Sequence, residues 1–458
     1  MMAVSRMNDS NLLDGAHALA RQPLARARAL QLIDRALDRS PFYARLYQGR
    51  ATGLDAWQSL PVVDKSQLMA AFDDWACDRR IRLAAVQDWI ADPARIGQDF
   101  LGRYAVWSTS GTTGVPGLFV HDSQALATYA TLLQTRMSHR HAQGRGTVPG
   151  RLPRTALLIA SDGHYAGIGF WARQQRLYPM LRASSLALNV TAPPEEIRAA
   201  LQAWQPDHVA SYPSMLAELA RWQEDGRIDL KLAALWGGGE GLCASTRAWI
   251  SSVFGAPVVN DYGASECLTI AFECDHGHLH LNDDWVLLEP VDRQDRPVPA
   301  GTASHSVLLT NLANHVQPVI RYRLGDSVTF LDRACACGDA RPAFTVEGRC
   351  DDTLRLRDAQ DREVRLLPMA LTTALEEGAD IHRFQVVQTE ARALVLRLDL
   401  DRESDPGSVS DRATQVLGHY LRSQGLDQVR LRVEHDPLAC DERSGKLRQV
   451  LCLLDRPA

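Results

Sequence analysis

Trp107-Ser108-Thr109-Ser110-Gly111-Thr112-Thr113-Gly114-Val115-Pro116-Gly117 ends one apolar run, Tyr104 to Trp107, and leads into another, Leu118-Phe119-Val120. Ser108, Thr109, Ser110, Thr112 and Thr113 offer five hydroxyls, and Gly111 and Gly114 let backbone N–H groups turn toward a bound anion. A loop of this composition suits a polyphosphate. It lacks the Gly-Lys-Ser/Thr of a Walker A motif, and a strand-like run follows it where that motif opens a helix. Taken alone, the stretch reads equally well as a polar surface hairpin.

Outward from this loop, strand and helix patterns alternate. Strand-like runs fall at Thr155 to Ile159, Leu186 to Val190, His208 to Ser211 and Leu232 to Trp236, with helical spacing at Ala125 to His139, Tyr165 to Arg176, Glu195 to Trp204, Ser214 to Trp222 and Ala244 to Val253. Buried strands separated by amphipathic helices predict a mostly parallel sheet flanked by helices, with ligands beyond the strand C-termini. Gly237 to Glu240 and Tyr262 to Glu266 each follow an apolar run, so both loops are expected on that edge. After residue 281 the strands come closer together, predicting an antiparallel, barrel-like subdomain. From Asp351 onward the chain reads as a small α+β unit, in which Leu354 to Val364 forms a hairpin with a polar turn. Before the loop, residues 11 to 48 have helical spacing, broken ahead of Pro41. The expected fold is α/β: a large N-terminal domain, 1–349, and a small C-terminal domain, 350–458.

At 458 residues the chain is long enough for two domains with sizeable cores. Lys+Arg 50 against Asp+Glu 55 is too balanced for a nucleic-acid footprint or a polybasic membrane surface. No apolar window approaches the ~20 residues of a membrane span and the N-terminus has no apolar leader, so a cytoplasmic location with small-molecule partners is expected. Nine cysteines, an odd number thinly spread, argue against a disulfide framework and leave thiols or metal ligands. Cys274, His280, Cys335 and Cys337 could close a tetrahedral Zn2+ site, with His276 and His278 as rival ligands. Free thiols in two loops are the alternative.

Six segments in order, Ser110-Gly111-Thr112-Thr113-Gly114-Val115-Pro116, Gly238-Gly239-Glu240, Tyr262-Gly263-Ala264-Ser265-Glu266, Arg321-Tyr322-Arg323-Leu324-Gly325-Asp326, Gly348-Arg349-Cys350-Asp351-Asp352 and Ser444-Gly445-Lys446, resemble the motifs of adenylate-forming enzymes. Ser40-Pro41-Phe42-Tyr43 and Leu60-Pro61-Val62-Val63-Asp64-Lys65 are similar to the N-terminal pattern of the phenylacetate-CoA ligase group within that superfamily. The resemblance implies ATP-dependent activation of a carboxylic acid through an acyl, or aryl, adenylate. Ser108 to Gly114 would cradle the β and γ phosphates, Val115 standing where many relatives carry Lys. Glu266 would hold Mg2+ against the phosphates. Gly238, Gly239, Glu240 and Tyr262-Gly263 would border the adenine, Asp326 would accept from the ribose hydroxyls, and Arg349 would lie near ribose and phosphate. Lys446 would meet the carboxylate and the α-phosphate, and Asp351 would be the hinge of a mobile C-terminal domain. His164, Tyr165 and Trp236 are expected at the acid pocket.

The resemblance further implies transfer to a thiol, CoA or the pantetheine of a carrier protein. The segment Leu354 to Val364 lacks the glycine that CoA ligases of the family carry soon after the hinge. An amine or hydroxyl acceptor, or a nucleotide-binding relative without catalysis, are the competing expectations. A homodimer is expected by analogy with dimeric relatives.

Overall fold

The computed structural model describes residues 23–109, 116–137, 152–347, 353–381, 383–399, 406–435, 438 and 448–454. Ser110, Gly111, Thr112, Thr113, Gly114, Val115, Arg349, Asp351 and Lys446 therefore lie outside the described residues. The chain divides into two compact units, Met1–Leu83 with Ile270–Gly348, and Ala84–Thr269 with Arg349–Ala458.

The second unit begins with an antiparallel pair, β1 (Ala105–Ser108) and β2 (Leu118–His121). A parallel sheet follows, built from β3 (Thr155–Ile159), β4 (Ser185–Asn189), β5 (His208–Ser211), β6 (Ala234–Gly237) and β7 (Val258–Ala264). Its order is β4, β3, β5, β6, β7, each neighbour paired in parallel. The helices Ala166–Leu177, Pro194–Trp204, Pro213–Glu224 and Ala244–Phe254 connect these strands as the alternating pattern predicts. Local chemistry fixes their ends: Pro194 and Pro213 occupy the first helical turn, where a missing N–H costs nothing, and Gln205 closes its helix in a left-handed conformation. The helix expected over Ala125 to His139 is α-helical only over Ser123–Leu132 and continues as a π-turn through Met137.

In the first unit, the helix Pro23–Arg39 buries Ala25, Ala29, Leu32, Ile33 and Ala36 along one stripe. Ser40 caps the next helix, Pro41–Leu46, and Tyr43 reaches from it to donate to the Pro318 carbonyl at 3.1 Å. Asp64 and Gln67 form a capping box at the start of Lys65–Ala70. The division between the units falls within β8 (Cys267–Glu273). After it come β9 (Leu279–Leu281), β10 (Val286–Val291), β11 (Ser306–Asn311), β12 (Tyr322–Arg323), β13 (Ser327–Phe330) and β14 (Ala343–Glu347). Every pairing among them is antiparallel, as expected, but they fall into two sheets, β10-β11-β12 and β13-β14-β9 with β8.

The rest of the second unit is a small α/β assembly. The hairpin β15 (Leu354–Arg357) and β16 (Glu363–Leu366) forms as read, its turn closed by Arg362 on the Asp358 carboxylate. Helices Pro368–Ala379 and Pro406–Ser423 accompany a sheet of β17 (Phe384–Glu390), β18 (Ala393–Leu398), β19 (Arg430–Glu434) and β20 (Val450–Cys452), ordered β19, β18, β17, β20. One buried apolar cluster runs from Leu158, Leu216 and Leu235 to Leu371, Phe384 and Leu417, so the assembly shares its core with the parallel sheet. No helix among the described residues is long and apolar enough to cross a membrane.

Candidate active site and metal centre

The hydroxyl loop is closed at its base. Thr109 donates from its backbone N–H to the Gly117 carbonyl at 2.9 Å, and Gly117 N–H donates back to Thr109 Oγ1 at 2.8 Å. Behind it, Ser265 Oγ donates to the Ser108 carbonyl at 3.1 Å, and His121 Nε2 lies 2.9 Å from the Ser265 carbonyl. Burial pushes His121 down to about 3, so its imidazole is neutral at physiological pH. A carbonyl can only accept, which places the proton on Nε2 and leaves Nδ1 to accept from Tyr129 Oη at 3.2 Å. Trp107 lies against the same ring, with centroids 4.1 Å apart. The base of the loop is thus tied to the residue just before Glu266, whose side chain is buried.

At the ends of β6 and β7, close backbone approach dictates the glycines. A Cβ on Gly263 would lie 2.1 Å from the Leu268 carbonyl oxygen, so only glycine allows the turn that carries Glu266. A Cβ on Gly238 would lie 2.5 Å from Asp261 Oδ1. Glu240 accepts from Ser214 N–H at 2.9 Å and from Ser214 Oγ at 3.0 Å. It thereby satisfies the first turn of Pro213–Glu224, whose N-cap Tyr212 supplies no side-chain bond. Tyr212 packs its ring against Gly239, 3.2 Å from where a Cβ would stand.

Tyr165 and Trp236 pack on the same small apolar group, Leu157, Ile168 and Ala210, at the C-terminal side of the sheet. Tyr165 hydrogen-bonds to Glu377 of Pro368–Ala379, and burial together with the nearby Asp162 pushes Glu377 up to about 7. His164 has another place. Its ring nitrogen Nε2 meets the Asp92 carbonyl at 3.1 Å, its own carbonyl accepts from Ser108 N–H at 2.8 Å, and burial lowers its pKa. Its visible bonds hold the β1 end of the hydroxyl loop.

In the first unit, Asp326 is half-buried at the start of the turn into β13. Arg321, five residues earlier, is a packing arginine: its Nε donates to Glu289 at 3.1 Å and its guanidinium reaches the Gln58 carbonyl at 2.7 Å. The same unit brings Cys274, His280, Cys335 and Cys337 together, all four donor atoms lying within 4.8 Å of one another. Cys274 Sγ and Cys335 Sγ are 3.6 Å apart, and Cys337 Sγ is 3.2 Å from His280 Nε2. Sulfurs about 2.3 Å from a tetrahedral Zn2+ would lie roughly 3.8 Å apart, so the spacing fits an ion and is far too long for a disulfide. His280 Nδ1 lies 3.2 Å from the Arg341 carbonyl, which turns Nε2 inward in the manner of a metal-bound imidazole. His278 Nδ1 stands 3.5 Å from Cys335 Sγ, at the rim of the group.

Residues 104–304 match the family of AMP-binding enzymes, rather less than half of the chain. No curated protein matches the chain in sequence. Its fold is similar to that of 2-hydroxyisobutyryl-CoA ligase with 2-HIB-AMP and CoA in the thioesterification state, at TM-score 0.58 and 20% identity, over 96% of this chain and 91% of that chain. The same ligase in the postadenylation state with R3-HIB-AMP gives TM-score 0.56 at 20% identity, over 95% and 90%. In its open conformation with 2-HIB-AMP and CoA it gives 0.52 at 19%, over 93% and 90%. At these identities the likeness concerns the fold.

Within this chain, the residues read from motifs do not all fall in one compact unit. Ser108, Thr109, Gly238, Gly239, Glu240, Tyr262, Gly263 and Glu266 belong to the second unit with Tyr165 and Trp236, whereas Asp326 belongs to the first. Three groups escaped the sequence reading. His121 and Tyr129 look like ordinary members of a strand and a helix, and only their bonds reveal the tie to Ser265. Asp261 left a signal, a carboxylate interrupting an apolar strand one residue before Tyr262.

Proposed function

We propose that this protein is an ATP-dependent adenylate-forming ligase that condenses a carboxylic acid with ATP to give an acyl (aryl) adenylate and pyrophosphate, then passes the acyl group to the thiol of CoA or of a carrier-protein pantetheine, as phenylacetate-CoA ligases do. The bond from Ser265 Oγ to the Ser108 carbonyl carries the reading, because it couples the base of the phosphate loop to the segment bearing Glu266. Ser108, at the base of the loop, is thereby joined to the residue that precedes Glu266, which favours a prearranged site. In this reading Ser108 to Gly114 bind the β and γ phosphates through hydroxyl and N–H donors. Glu266 is a hard oxygen ligand suited to Mg2+, which when bound neutralises phosphate charge. Tyr262 and Gly238 to Glu240 border the adenine, and Asp326 accepts from the ribose diol. Arg349 and Lys446 stabilise charge at the α-phosphate as the carboxylate oxygen forms its bond to phosphorus and pyrophosphate leaves. Asp351 absorbs the backbone rotation between the two half-reactions. Tyr165 and Trp236 receive the acid. The Cys274, Cys335, Cys337 and His280 group holds a Zn2+ of the closed, structural type.

A second reading keeps the adenylate and changes the acceptor to an amine or hydroxyl. It is favoured by the hairpin β15–β16, which is regularly paired from Leu354 to Leu366 and contains no glycine where CoA ligases of the family line the pantetheine path.

ATP–pyrophosphate exchange across aryl, aliphatic and amino acids tests the activation step. Exchange with one acid class is expected, falling at least about 100-fold in both Glu266→Ala and Lys446→Ala. Exchange that persists in both variants overturns the assignment of roles.

A further inference from the structure

Strand register determines which side chains stand beside Trp236. Leu157 pairs with Ala210, Ala210 with Trp236, and Trp236 with Val259, so these four side chains share one face of the parallel sheet. Ile168 and Tyr165 pack on that face. Two residues beyond Val259, the same face of β7 presents Asp261. On this face of β7 an apolar run therefore ends in a carboxyl group. Its Oδ1 accepts from Trp236 Nε1 at 3.0 Å and occupies the space a Gly238 side chain would fill.

Among the described residues, no cation contributes to the environment of this carboxyl group. Although the residue keeps some exposure, protein surrounds the acid group, and burial pushes it up to about 7. The Trp236 N–H and a backbone N–H oppose that shift, and no positive side chain among the described residues contributes. A buried acceptor short of donors costs free energy that a donor on a ligand recovers. An apolar group placed against it leaves the cost in full, so such a site discriminates strongly between a substituent that donates and an isostere that does not.

We propose that Asp261 is the specificity residue of the acid pocket, accepting a hydrogen bond from an amino or hydroxyl group on the body of the substrate acid while Trp236 and Tyr165 take its hydrocarbon part. This inference rests on the activation reading above. The substrate class it names is a carboxylic acid bearing a hydrogen-bond donor on its body.

The test uses acids in matched sets of three, with an amino, a hydroxyl or a methyl group at the same position, assayed by pyrophosphate exchange with wild type, Asp261→Asn and Asp261→Leu. Wild type is expected to favour a donor-bearing acid over its methyl isostere by about 10-fold or more in kcat/KM. Asp261→Leu erases or inverts that preference, chiefly through KM. Asp261→Asn separates the two donors: it keeps the hydroxyl acid and loses the charged amine. It also carries the test should the leucine variant fail to fold. A preference unchanged in the folded variants, or a wild-type preference for the methyl acid, overturns the proposal. If no acid supports exchange, the activation reading fails, and the same sets are compared by ligand-induced thermal shift. Stabilisation of wild type alone by donor-bearing acids then still supports Asp261, whereas its absence overturns the proposal.

Discussion

Asp261 binds its proton more tightly in the folded chain than in the unfolded one, where a carboxyl titrates near 4. Between about pH 4 and pH 7 the folded state therefore holds a proton that the unfolded state has lost. Stability falls as pH rises through that window, and the full penalty is present above it. Glu377, pushed up in the same direction, adds to the slope. Asp261→Asn keeps an oxygen for Trp236 Nε1 and removes only the titrating group. It is expected to gain about 1–2 kcal/mol at pH 8, well below the full shift because the residue is partly exposed, and nothing at pH 4. Denaturant unfolding of the two proteins at both pH values checks this; an equal gain at pH 4 and pH 8 would mean that ionisation is not the cause. At this scale the sequence was legible where a residue type is unusual for its place, as with three cysteines and a histidine in two loops. It was silent where an ordinary residue acquires its role through folding, as with His121, whose neutral ring binds a carbonyl 144 residues away.

Elements were legible in proportion to the contrast between their buried and exposed faces. The strands Thr155–Ile159 and His208–Ser211 and the helix Pro194–Trp204 stand close to where periodicity puts them, because each has turn signals at its ends. Helix Pro368–Ala379 escaped notice for the opposite reason. It buries Pro368, Ala370, Leu371, Thr372, Thr373 and Leu375, which surround the axis and leave no stripe of period 3.6. The three-residue β9 is too short for any pattern, yet it positions His280 opposite Ala343 and thereby assembles the Cys/His group. That group joins the loop after β8 to the loop before β14, two segments about sixty residues apart in sequence. An ion bound there contributes folding free energy to both loops. Protein prepared without added metal is expected to carry about one Zn per chain by elemental analysis. Stripping it with a chelator, or the change Cys335→Ser, is expected to lower Tm by several degrees while the parallel sheet remains folded. A fully metal-free preparation with an unchanged melt would show that the four side chains are merely packed.

Across the whole molecule, the alternation of strands and helices made the parallel sheet legible, whereas the way the chain distributes its residues between compact units was not. Residues 270–348 follow the parallel sheet in sequence but gather with 1–83, and residues 349–458 return to 84–269. Such returns depend on which apolar faces remain uncovered, and periodicity within one element carries no record of that. The return matters for chemistry, since Leu371, Phe384 and Leu417 share a core with Leu158 and Leu216. If, as proposed, the segment carrying Lys446 serves one half-reaction and accompanies the acceptor in the other, it can be altered for one and not for the other. Lys446→Ala should therefore slow formation of the adenylate by at least about 100-fold, the scale of losing one charge-stabilising donor. The same variant, given a synthetic acyl adenylate, should pass the acyl group to CoA at a rate within about threefold of wild type, because the charge Lys446 stabilises develops at the α-phosphate before transfer. Product masses with CoA, with an amine and with neither identify the acceptor in the same experiment. A thioester formed at equal rates by both proteins supports a thiol acceptor and a lysine confined to activation. An amide in place of the thioester assigns the glycine-free hairpin to an enzyme with a different second substrate, and a transfer rate that falls together with adenylation would make Lys446 part of both steps.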